Sequence, residues 1–443
     1  MGTSVSEAVL TLGTSPGRRR ARHDQEADIP TTSTPPLAVD QDSGSAGIRP
    51  GTVILLGAVT ALPALAIDAY LPALPSLTED LQTTPAATQL TLTAVLLGLS
   101  IGQLFAGPIS DRVGRRRPLL TGVAGFALAS LLCAVAPTVE VLVVARLLQG
   151  LAGGAATVVA RAVVRDSADG AAAARVFARL MLVMGVAPVL APIAGAQVLR
   201  FTSWGGIFLL LAALGCALLA VSAARTAETL PADRRSTGGL RAALHVFAGL
   251  LRDRPFVGHA LAGALSFAAM FAYISASPFV LQELHGLTPA QFSAVFATNA
   301  AGLVVLSQVS AALVGRLGAR RLMLTGLALS VLGGLGLLAT VLAGGPFGLL
   351  LGALFVVVSS LGLVTPNATA LALASHGRHA GSASALLGLL QFTVAAVAAP
   401  LTGLAGEDTA VPLGLVVAVL VTCALASALL TGPRSGAARA GAE

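Results

Sequence analysis

Charged residues are scarce in this sequence of 443 residues: only 11% are charged, whereas 55% are hydrophobic. A soluble domain carries about 25% charged residues, so these few ionic groups cannot cover a water-exposed surface of this size. Much of the surface must therefore face lipid, where only helices or closed barrels satisfy the backbone. The apolar runs are about 20 residues long and do not alternate with polar residues, which predicts transmembrane helices.

Lysine is absent, so all 27 basic residues are arginines, and the formal net charge is +7. A basic chain of this kind could bind nucleic acid. The arginines, however, lie in short loops between apolar runs, where they are expected to hold those loops in the cytoplasm. We therefore expect a lipid bilayer and no nucleic acid as a partner.

Cysteine and histidine are also rare. The three cysteines lie inside apolar runs, and the six histidines form no cluster with ligand spacing, so we expect neither a disulfide nor a metal site. The sequence contains no P-loop and no H-E-x-x-H motif. These absences predict a protein that is not an enzyme, has no cofactor and draws any energy it needs from an ion gradient.

The apolar runs predict twelve transmembrane spans in two groups of six. A disordered tail (1–49) is expected before the first six-helix bundle (50–224), and a cytoplasmic linker (225–254) before the second bundle (255–432) and a short tail (433–443). The predicted spans are 52–74, 88–110, 118–137, 140–162, 176–199, 205–224, 256–281, 291–315, 321–343, 347–374, 381–404 and 411–431.

The arginines also predict orientation, because cytoplasmic loops carry an excess of basic residues. Loops on one side contain clusters such as 112–117 and 316–321, whereas the loops on the other side contain only Arg200 beside several acids. An even number of spans then places both termini in the cytoplasm. In a bacterial cell this corresponds to a multi-pass protein of the inner membrane.

The two halves resemble each other. The only two tyrosines, Tyr70 and Tyr273, lie 203 positions apart, each in the first span of its half and each followed by prolines. The segment 112–117 is similar to the segment 316–321, at an offset of 204 positions. Two parallel six-helix repeats are typical of transporters that expose a central site alternately to each side.

The loop after the second span contains a recognisable motif. It runs from Gly107 through Asp111, Arg112 and Gly114 to Arg115, Arg116 and Arg117, and it resembles the G-x-x-x-D-R-x-G-R-R signature of the major facilitator superfamily. In the fourth span, Arg146-Leu-Leu-Gln149-Gly150 resembles the R-x-x-Q-G motif of the same family, and Arg165-Asp166 follows it. The resemblance implies the major facilitator fold, an all-α membrane protein with twelve spans.

Two further elements resemble one branch of that family. The fifth span contains Gly185, Pro188, Pro192 and Gly195 in a pattern similar to the G-P-x-x-G-G motif of drug/proton antiporters, with alanines at two glycine positions. The first span contains Asp68-Ala-Tyr-Leu-Pro-Ala-Leu-Pro, which looks like the corresponding element of the bicyclomycin/chloramphenicol-resistance branch. This implies a monomeric antiporter that exports small amphipathic drugs or antibiotics by alternating access. The alternative is nutrient or metabolite uptake by a symporter or uniporter of the same fold.

Asp68 is the only acid predicted well inside a span. A carboxylate at that depth is costly, by about 2.5–3.5 kcal/mol on insertion scales, and usually functional. We expect Asp68 to load and release the coupled proton, with Arg146 as a counter-charge or cargo ligand. The alternatives are a helix-end cap for Asp68 and a static salt bridge or surface arginine for Arg146.

The first-loop motif is expected to act as a latch. Gly107 would allow close helix approach. The resemblance to the superfamily implies that Asp111 faces the start of the eleventh span near Gly381. Arg115 and Arg116 would pair with acids such as Asp166, and the alternative for these arginines is a purely topological role. Polar and aromatic residues inside spans are candidates for the cavity wall, although each could equally join or pack helices. They are Tyr70, Gln149, Phe267, Met270, Phe271, Tyr273, Asn299, Asn367 and Gln391.

Overall fold

The computed structural model describes residues 50–167, 170–235, 246–374, 376, 380–403 and 409–430. This part of the chain is almost entirely helical, and eleven of its helices are long and apolar enough to cross a membrane. One more long helix, Gly170–Leu199, lies at the predicted fifth span, and its segment Val186–Leu199 is apolar. We number the long helices α1 Pro50–Asp68, α2 Pro85–Val113, α3 Arg116–Ala134, α4 Val139–Ser167, α5 Gly170–Leu199, α6 Trp204–Arg225, α7 Arg254–Pro278, α8 Pro289–Leu317, α9 Ala319–Leu342, α10 Phe347–Leu373, α11 Ala380–Ala398 and α12 Val411–Leu430.

Prolines interrupt the first and seventh spans. After α1 ends at Asp68, a short 3₁₀ turn (Leu71–Ala73) and a helix (Leu74–Asp80) complete the crossing. Pro72 and Pro75 lack the amide hydrogen that a continuous helix would need, which explains the break. After α7, residues Phe279–Leu284 form a π-helical segment directly behind Pro278. Prolines thus mark the irregular segment in the first span of each half.

The helix contacts repeat between the two halves. In the first half α2 packs on α4, α3 on α4 and α6, and α1 on α5; in the second half α8 packs on α10, α9 on α10 and α12, and α7 on α11. The contacts between the halves are also equivalent. The second helix of each half packs on the fifth helix of the other half, α2 on α11 and α8 on α5. Corresponding helices thus occupy corresponding positions, as two parallel repeats require.

Glycines bring α2 and α4 into direct backbone contact. A Cβ atom at Gly98, Gly102 or Gly150 would overlap a backbone carbonyl oxygen of the partner helix. Small residues of this kind allow close packing of transmembrane helices. The prediction that Gly107 serves this purpose is wrong, because a Cβ there would lie at an ordinary 3.8 Å from Val158 Cγ1.

The two repeated loops end their helices in the same way. Gly114 caps α2 and Gly318 caps α8, with φ angles of 97° and 79°. Residues with a Cβ atom rarely adopt these positive φ angles, which explains why both positions are glycines. We call the end of the bundle with these two turns the arginine face, because the arginine clusters 112–117 and 316–321 lie there, and the other end the opposite face.

The linker between α6 and α7 is partly described. Residues 226–235 follow α6 at the arginine face, and Phe247 and Leu250 pack against α7, α10 and α11 at the same end. The tails 1–49 and 433–443 and the linker segment 236–245 lie outside the described residues. The predicted domain boundaries therefore stay predictions.

The orientation of the bundle is open to a direct test. Reporters fused after residues 117, 240 and 434 are expected to signal a cytoplasmic location, and one after residue 82 an external location. The measurement is enzymatic activity or fluorescence of reporters that work on only one side of the membrane. An external signal from residue 240 would contradict the whole topology.

Candidate transport cavity

A cavity of about 600 Å³ lies between the two six-helix groups. Its wall is built from α1, α2, α4 and α5 on one side and from α7, α8, α10 and α11 on the other. The volume lies in the range typical of sites for drug-sized ligands, which are mostly apolar with a few placed polar groups.

Six of the residues predicted for proton coupling or for the cavity wall line this cavity. They come from the first span of each half and from α8, and they include the aromatic pair Phe267 and Phe271, whose ring centroids are 4.9 Å apart. Phe392 on α11 packs edge-on against Phe267 at 5.4 Å, so aromatic rings from two helices cover one wall. The six residues are Asp68, Phe267, Met270, Phe271, Tyr273 and Asn299.

Asp68 is the last residue of α1, and only 5% of its surface is exposed. Within the described part of the chain its carboxylate has no hydrogen-bond or ion-pair partner. The backbone leaves its helical path directly after Asp68, and the side chain contributes to the cavity wall. This position combines a titratable group with access from the cavity.

Arg146 lies outside the cavity wall. Its guanidinium is fully buried within the first half, where it donates to Ala66 O at 2.9 Å and to Gln149 Oε1 at 2.6 Å. Its Cζ lies 4.6 Å from the ring centroid of Tyr70 and 5.5 Å from that of Phe208. Neither Arg146, Gln149 nor Tyr70 lines the cavity, and Arg146 forms no ion pair with Asp68. The side chains of the two predicted proton-coupling residues therefore do not contact each other, although Arg146 reaches the backbone two residues before Asp68.

The two tyrosines make equivalent contacts. Tyr70 hydrogen-bonds Thr91 on α2, and Asn299 on α8 donates to Tyr273 Oη at 2.8 Å, so each first helix is joined to the second helix of its half. Only Tyr273 also reaches the cavity. The sequence repeat thus has a structural counterpart, but one half contributes its tyrosine to packing and the other contributes it to the wall.

Two other predicted wall residues lie off the cavity. Asn367 is buried and donates from Nδ2 to Ser310 Oγ and Leu363 O, both at 2.7 Å. This joins α10 to α8. Gln391 precedes Phe392 on α11 but is not part of the cavity wall.

Sequence reasoning missed Arg161, Thr157 and Gln103, which all line the cavity. Arg161 lies within the predicted fourth span, fifteen residues after Arg146. A charge inside an apolar run is itself a signal for a functional site. That signal was available, but the arginine belonged to no known motif.

Arg115 joins three side chains at the arginine face. Its Nε is 2.7 Å from Asp166 Oδ2, and its Nη1 lies 2.6 Å from Asp111 Oδ1 and 2.7 Å from Ser110 Oγ. Burial alone would lower the pKa of Arg115, but the two carboxylates keep it above its usual value. The predicted pairing of Arg115 with Asp166 is therefore present in the structure and links the α2–α3 turn to the end of α4.

Arg116 takes a different role from the one predicted. Its side chain donates from Nε to Thr226 O and from Nη2 to Ala223 O, both at 2.9 Å, and not to Asp166. Arg112 is exposed. The expected contact of Asp111 with the start of α11 concerns side chains 377–381, which lie outside the described part.

Glu228 from the linker also belongs to this cluster, and the sequence did not predict its role. Its carboxylate accepts hydrogen bonds from the backbone amides of Arg115 at 2.7 Å and Arg116 at 3.2 Å, at the N-terminus of α3. Burial alone would raise the pKa of Glu228, but these amides and that of Leu230 hold it below its ordinary 4.5. The ionised form therefore stabilises this corner above pH 4.5, and the contribution disappears as the pH falls further.

The fifth helix is fixed tightly to both halves. A Cβ atom at Gly195 would overlap the carbonyl oxygen of Ala69, directly after Asp68. Pro192 O accepts a hydrogen bond from Ser293 Oγ of α8 at 3.0 Å, and Pro188 lines the cavity. Gly185 lies in the same helix, in a segment whose side chains are not described.

Contacts between the halves concentrate toward the opposite face. Gln89 donates to Ser275 O at 3.4 Å and accepts from Thr402 at 3.3 Å, and Gln282 donates to Pro72 O at 3.3 Å. Together with the contact between Ser293 and Pro192, these bonds close the cavity on that side. In the other direction the cavity wall extends to Arg161 and Thr369, near the arginine face.

The sequence of residues 56–400 matches the family described as the Major Facilitator Superfamily. The chain belongs to this superfamily. It is 38% identical over 390 residues to the MFS-type transporter YdgK of Bacillus subtilis, covering 87% of this chain and 95% of the relative. It is 30% identical over 362 residues to a bicyclomycin resistance protein homolog of Haemophilus influenzae, covering 82% and 91%.

Solved structures of other transporters share the fold. The xylose transporter XylE of E. coli, in a partially occluded inward-open conformation, has a TM-score of 0.66 at 14% identity, covering 87% of this chain and 99% of that chain. A bacterial homolog of the lysosomal transporter Spinster, in an inward-facing conformation, has a TM-score of 0.68 at 15% identity, covering 87% and 98%. These structures show the shared fold, and the family match together with the 38% identical relative makes the chain a multi-pass membrane transporter rather than an enzyme.

The buried arginine of the superfamily loop motif allows a matched test. Arg115→Gln is expected to lower the stability of the detergent-solubilised protein by about 2 kcal/mol, because it removes the ion pairs with Asp111 and Asp166 and leaves only Arg165, at 4.0 Å, beside Asp166. Arg117→Gln removes the same charge from an exposed neighbour and is expected to have little effect. Melting temperatures of the two variants give the comparison. Equal melting temperatures would show that the cluster contributes no stability.

Proposed function

We propose that this chain exports small amphipathic molecules, including antibiotics, across the bacterial inner membrane in exchange for protons. The observation that supports this most is the cavity itself, which combines aromatic walls with the carboxylate of Asp68. Apolar walls accept amphipathic cargo, and a carboxylate that the cavity reaches is a group on which protons and cargo can compete.

The names of relatives support the same direction. Besides the bicyclomycin resistance protein homolog, the chain is 28% identical over 364 residues to the multidrug resistance protein MdtL of Escherichia coli, covering 82% of this chain and 90% of the relative. On this proposal, the chain shares the role of drug export with these two relatives. The alternative of nutrient uptake is less favoured, because a predominantly apolar wall offers sugars few hydrogen-bond partners.

Alternating access would use the hydrogen bonds between the halves at the opposite face and the Arg115 cluster at the arginine face. In the conformation seen here, hydrogen bonds between the halves close the opposite face. Export requires a second state in which these bonds open and the arginine face closes. A tenfold change in the ratio of two such states needs only about 1.4 kcal/mol, the scale of one or two hydrogen bonds.

The test uses inverted membrane vesicles from a host without its own drug pumps. A pH gradient is generated, and a pH-sensitive dye reports whether added aromatic antibiotics release protons from the vesicles. We expect several amphipathic antibiotics to dissipate the gradient only when the chain is present, and a resistance profile of the same host to show the same compounds. Cargo transport without proton movement would contradict proton coupling, and uptake of nutrients instead would contradict export.

A further inference from the structure

Two side chains of opposite charge lie in the cavity wall at different depths. Asp68 ends α1 on the side toward the opposite face, whereas Arg161 on α4 lies six residues before that helix ends at the arginine face. At 1.5 Å per residue, the two positions are on the order of 15–20 Å apart along the bundle axis.

Neither charge is neutralised by a neighbouring residue. Within the described part of the chain, Arg161 has no hydrogen-bond or ion-pair partner, and its Nε is buried. The hydroxyl of Thr157, one turn earlier on the same cavity-facing side of α4, is also buried without a partner. Buried polar groups are normally satisfied, and buried charges are normally paired. These donors therefore point to a ligand group that accepts hydrogen bonds.

A purely topological role does not explain Arg161. An arginine that only holds a loop in the cytoplasm needs to place its charge in water, as Arg165 does one turn later with 66% of its side chain exposed. Arg161 instead contributes to the wall of the cavity. The two arginines on one helix thus have different environments.

The geometry points to a zwitterionic aromatic molecule as the preferred cargo, with its carboxylate at Arg161 and its amine toward Asp68. This inference rests on the proposed function and specifies its cargo class. The planar guanidinium has a donor geometry that matches the two oxygens of a carboxylate. The rings of Phe267, Phe271 and Phe392 would flank the aromatic body between the two charges.

This arrangement also gives the amine a role in coupling. A cationic amine beside Asp68 favours the ionised carboxylate and therefore competes with the proton for that site. The carboxylate at Arg161 contributes affinity and orientation without taking part in that competition. A cargo bound in this way exchanges with a proton at one end while remaining anchored at the other.

The test measures equilibrium binding to the purified full chain in detergent at pH 7. The probe is a quinolone with a secondary amine at one end and a carboxylate at the other, used in four forms: unmodified, methyl ester, N-acetylated, and blocked at both ends. Dissociation constants come from ligand-induced shifts in melting temperature and from direct titration.

Wild-type protein is expected to bind the unmodified probe about tenfold or more tightly than the ester or the N-acetyl form. R161Q is expected to lose the preference for the free acid over the ester and to keep the preference for the free amine over the N-acetyl form. R161K keeps a positive charge and is expected to retain part of each preference. R165Q, which removes the same charge from the exposed position, is the matched control and is expected to behave like wild type.

The inference is overturned if wild type binds the ester as tightly as the acid, if it binds no form of the probe, or if R161Q keeps the preference for the acid. A gel-filtration profile and a melting curve of R161Q without ligand show whether it is folded. If it is not, R161K is compared instead: a weakened preference for the acid supports the inference, and an unchanged preference overturns it. The assay needs no gradient. Charge-selective binding without proton exchange in vesicles would therefore reject the proposed function and leave the cargo class standing.

Discussion

Asp68→Asn is expected to abolish gradient-driven export while leaving cargo binding and downhill exchange partly intact. In the described spans, Asp68 is the acid that the cavity reaches, and an amide cannot load or release a proton. A membrane potential supplies about 2.3 kcal/mol per charge for each 100 mV, enough for tens-fold accumulation per proton. Without the titratable group this coupling disappears, and the cargo ratio across the membrane is expected to fall to about one.

The measurement uses proteoliposomes with an imposed pH gradient and a cargo identified in the vesicle assay. Asp68→Glu keeps the carboxylate and is expected to retain some uphill transport. Asp80→Asn makes the same chemical change at an exposed helix end and is expected to transport like wild type. Uphill transport at the full rate by Asp68→Asn would show that the proton binds elsewhere, and Asp111 and Asp166 would be examined next.

Gly150→Ala is expected to reduce stability by about 2 kcal/mol, because overpacking a tight interface costs about 1–3 kcal/mol. The added methyl group would overlap the carbonyl oxygen of Val95, so α2 and α4 would have to separate along the interface that holds the first half together. The new alanine improves helix propensity by only about 1 kcal/mol, which does not offset this cost.

Gly336→Ala is the matched control for this packing effect. It lies inside α9, and no atom is found within 4 Å of the position that a Cβ would take. The same substitution is therefore expected to leave the melting temperature unchanged or to raise it slightly. Melting curves in detergent compare the two variants, and a Gly150→Ala variant as stable as Gly336→Ala would contradict close backbone packing.

Much of the fold could be predicted because the bilayer acts as a strong constraint. Apolar runs of about 20 residues must form helices in lipid, so composition and hydropathy determine the spans with little help from tertiary contacts. The break after Asp68 was also predictable, since Pro72 and Pro75 cannot continue a helix whatever surrounds them. The similarity of the segments 112–117 and 316–321 indicated the repeat, and the structure ends both helices with a glycine turn there.

The cavity residues were harder to predict, because periodicity shows that a residue lies in a span but not which neighbour it faces. Tyr70 and Tyr273 occupy equivalent positions in the sequence, yet only Tyr273 reaches the cavity. Arg146 matches a family motif and lies inside the first half, whereas Arg161 matches none and lines the cavity. Glu228 gave no signal, because an exposed linker acid resembles any other until its amide partners are known.

The sequence by itself determined a multi-pass helical membrane protein of the major facilitator superfamily, with two repeated halves and one acid deep in a span. Lipid imposes these features on each segment separately, so local composition and motifs suffice to predict them. Only the tertiary structure decided that Asp68 and Arg161 share one cavity while Asp68 and Arg146 do not meet. Such pairings depend on how the helices are rotated and packed against each other, and that arrangement results from contacts between residues far apart in the chain.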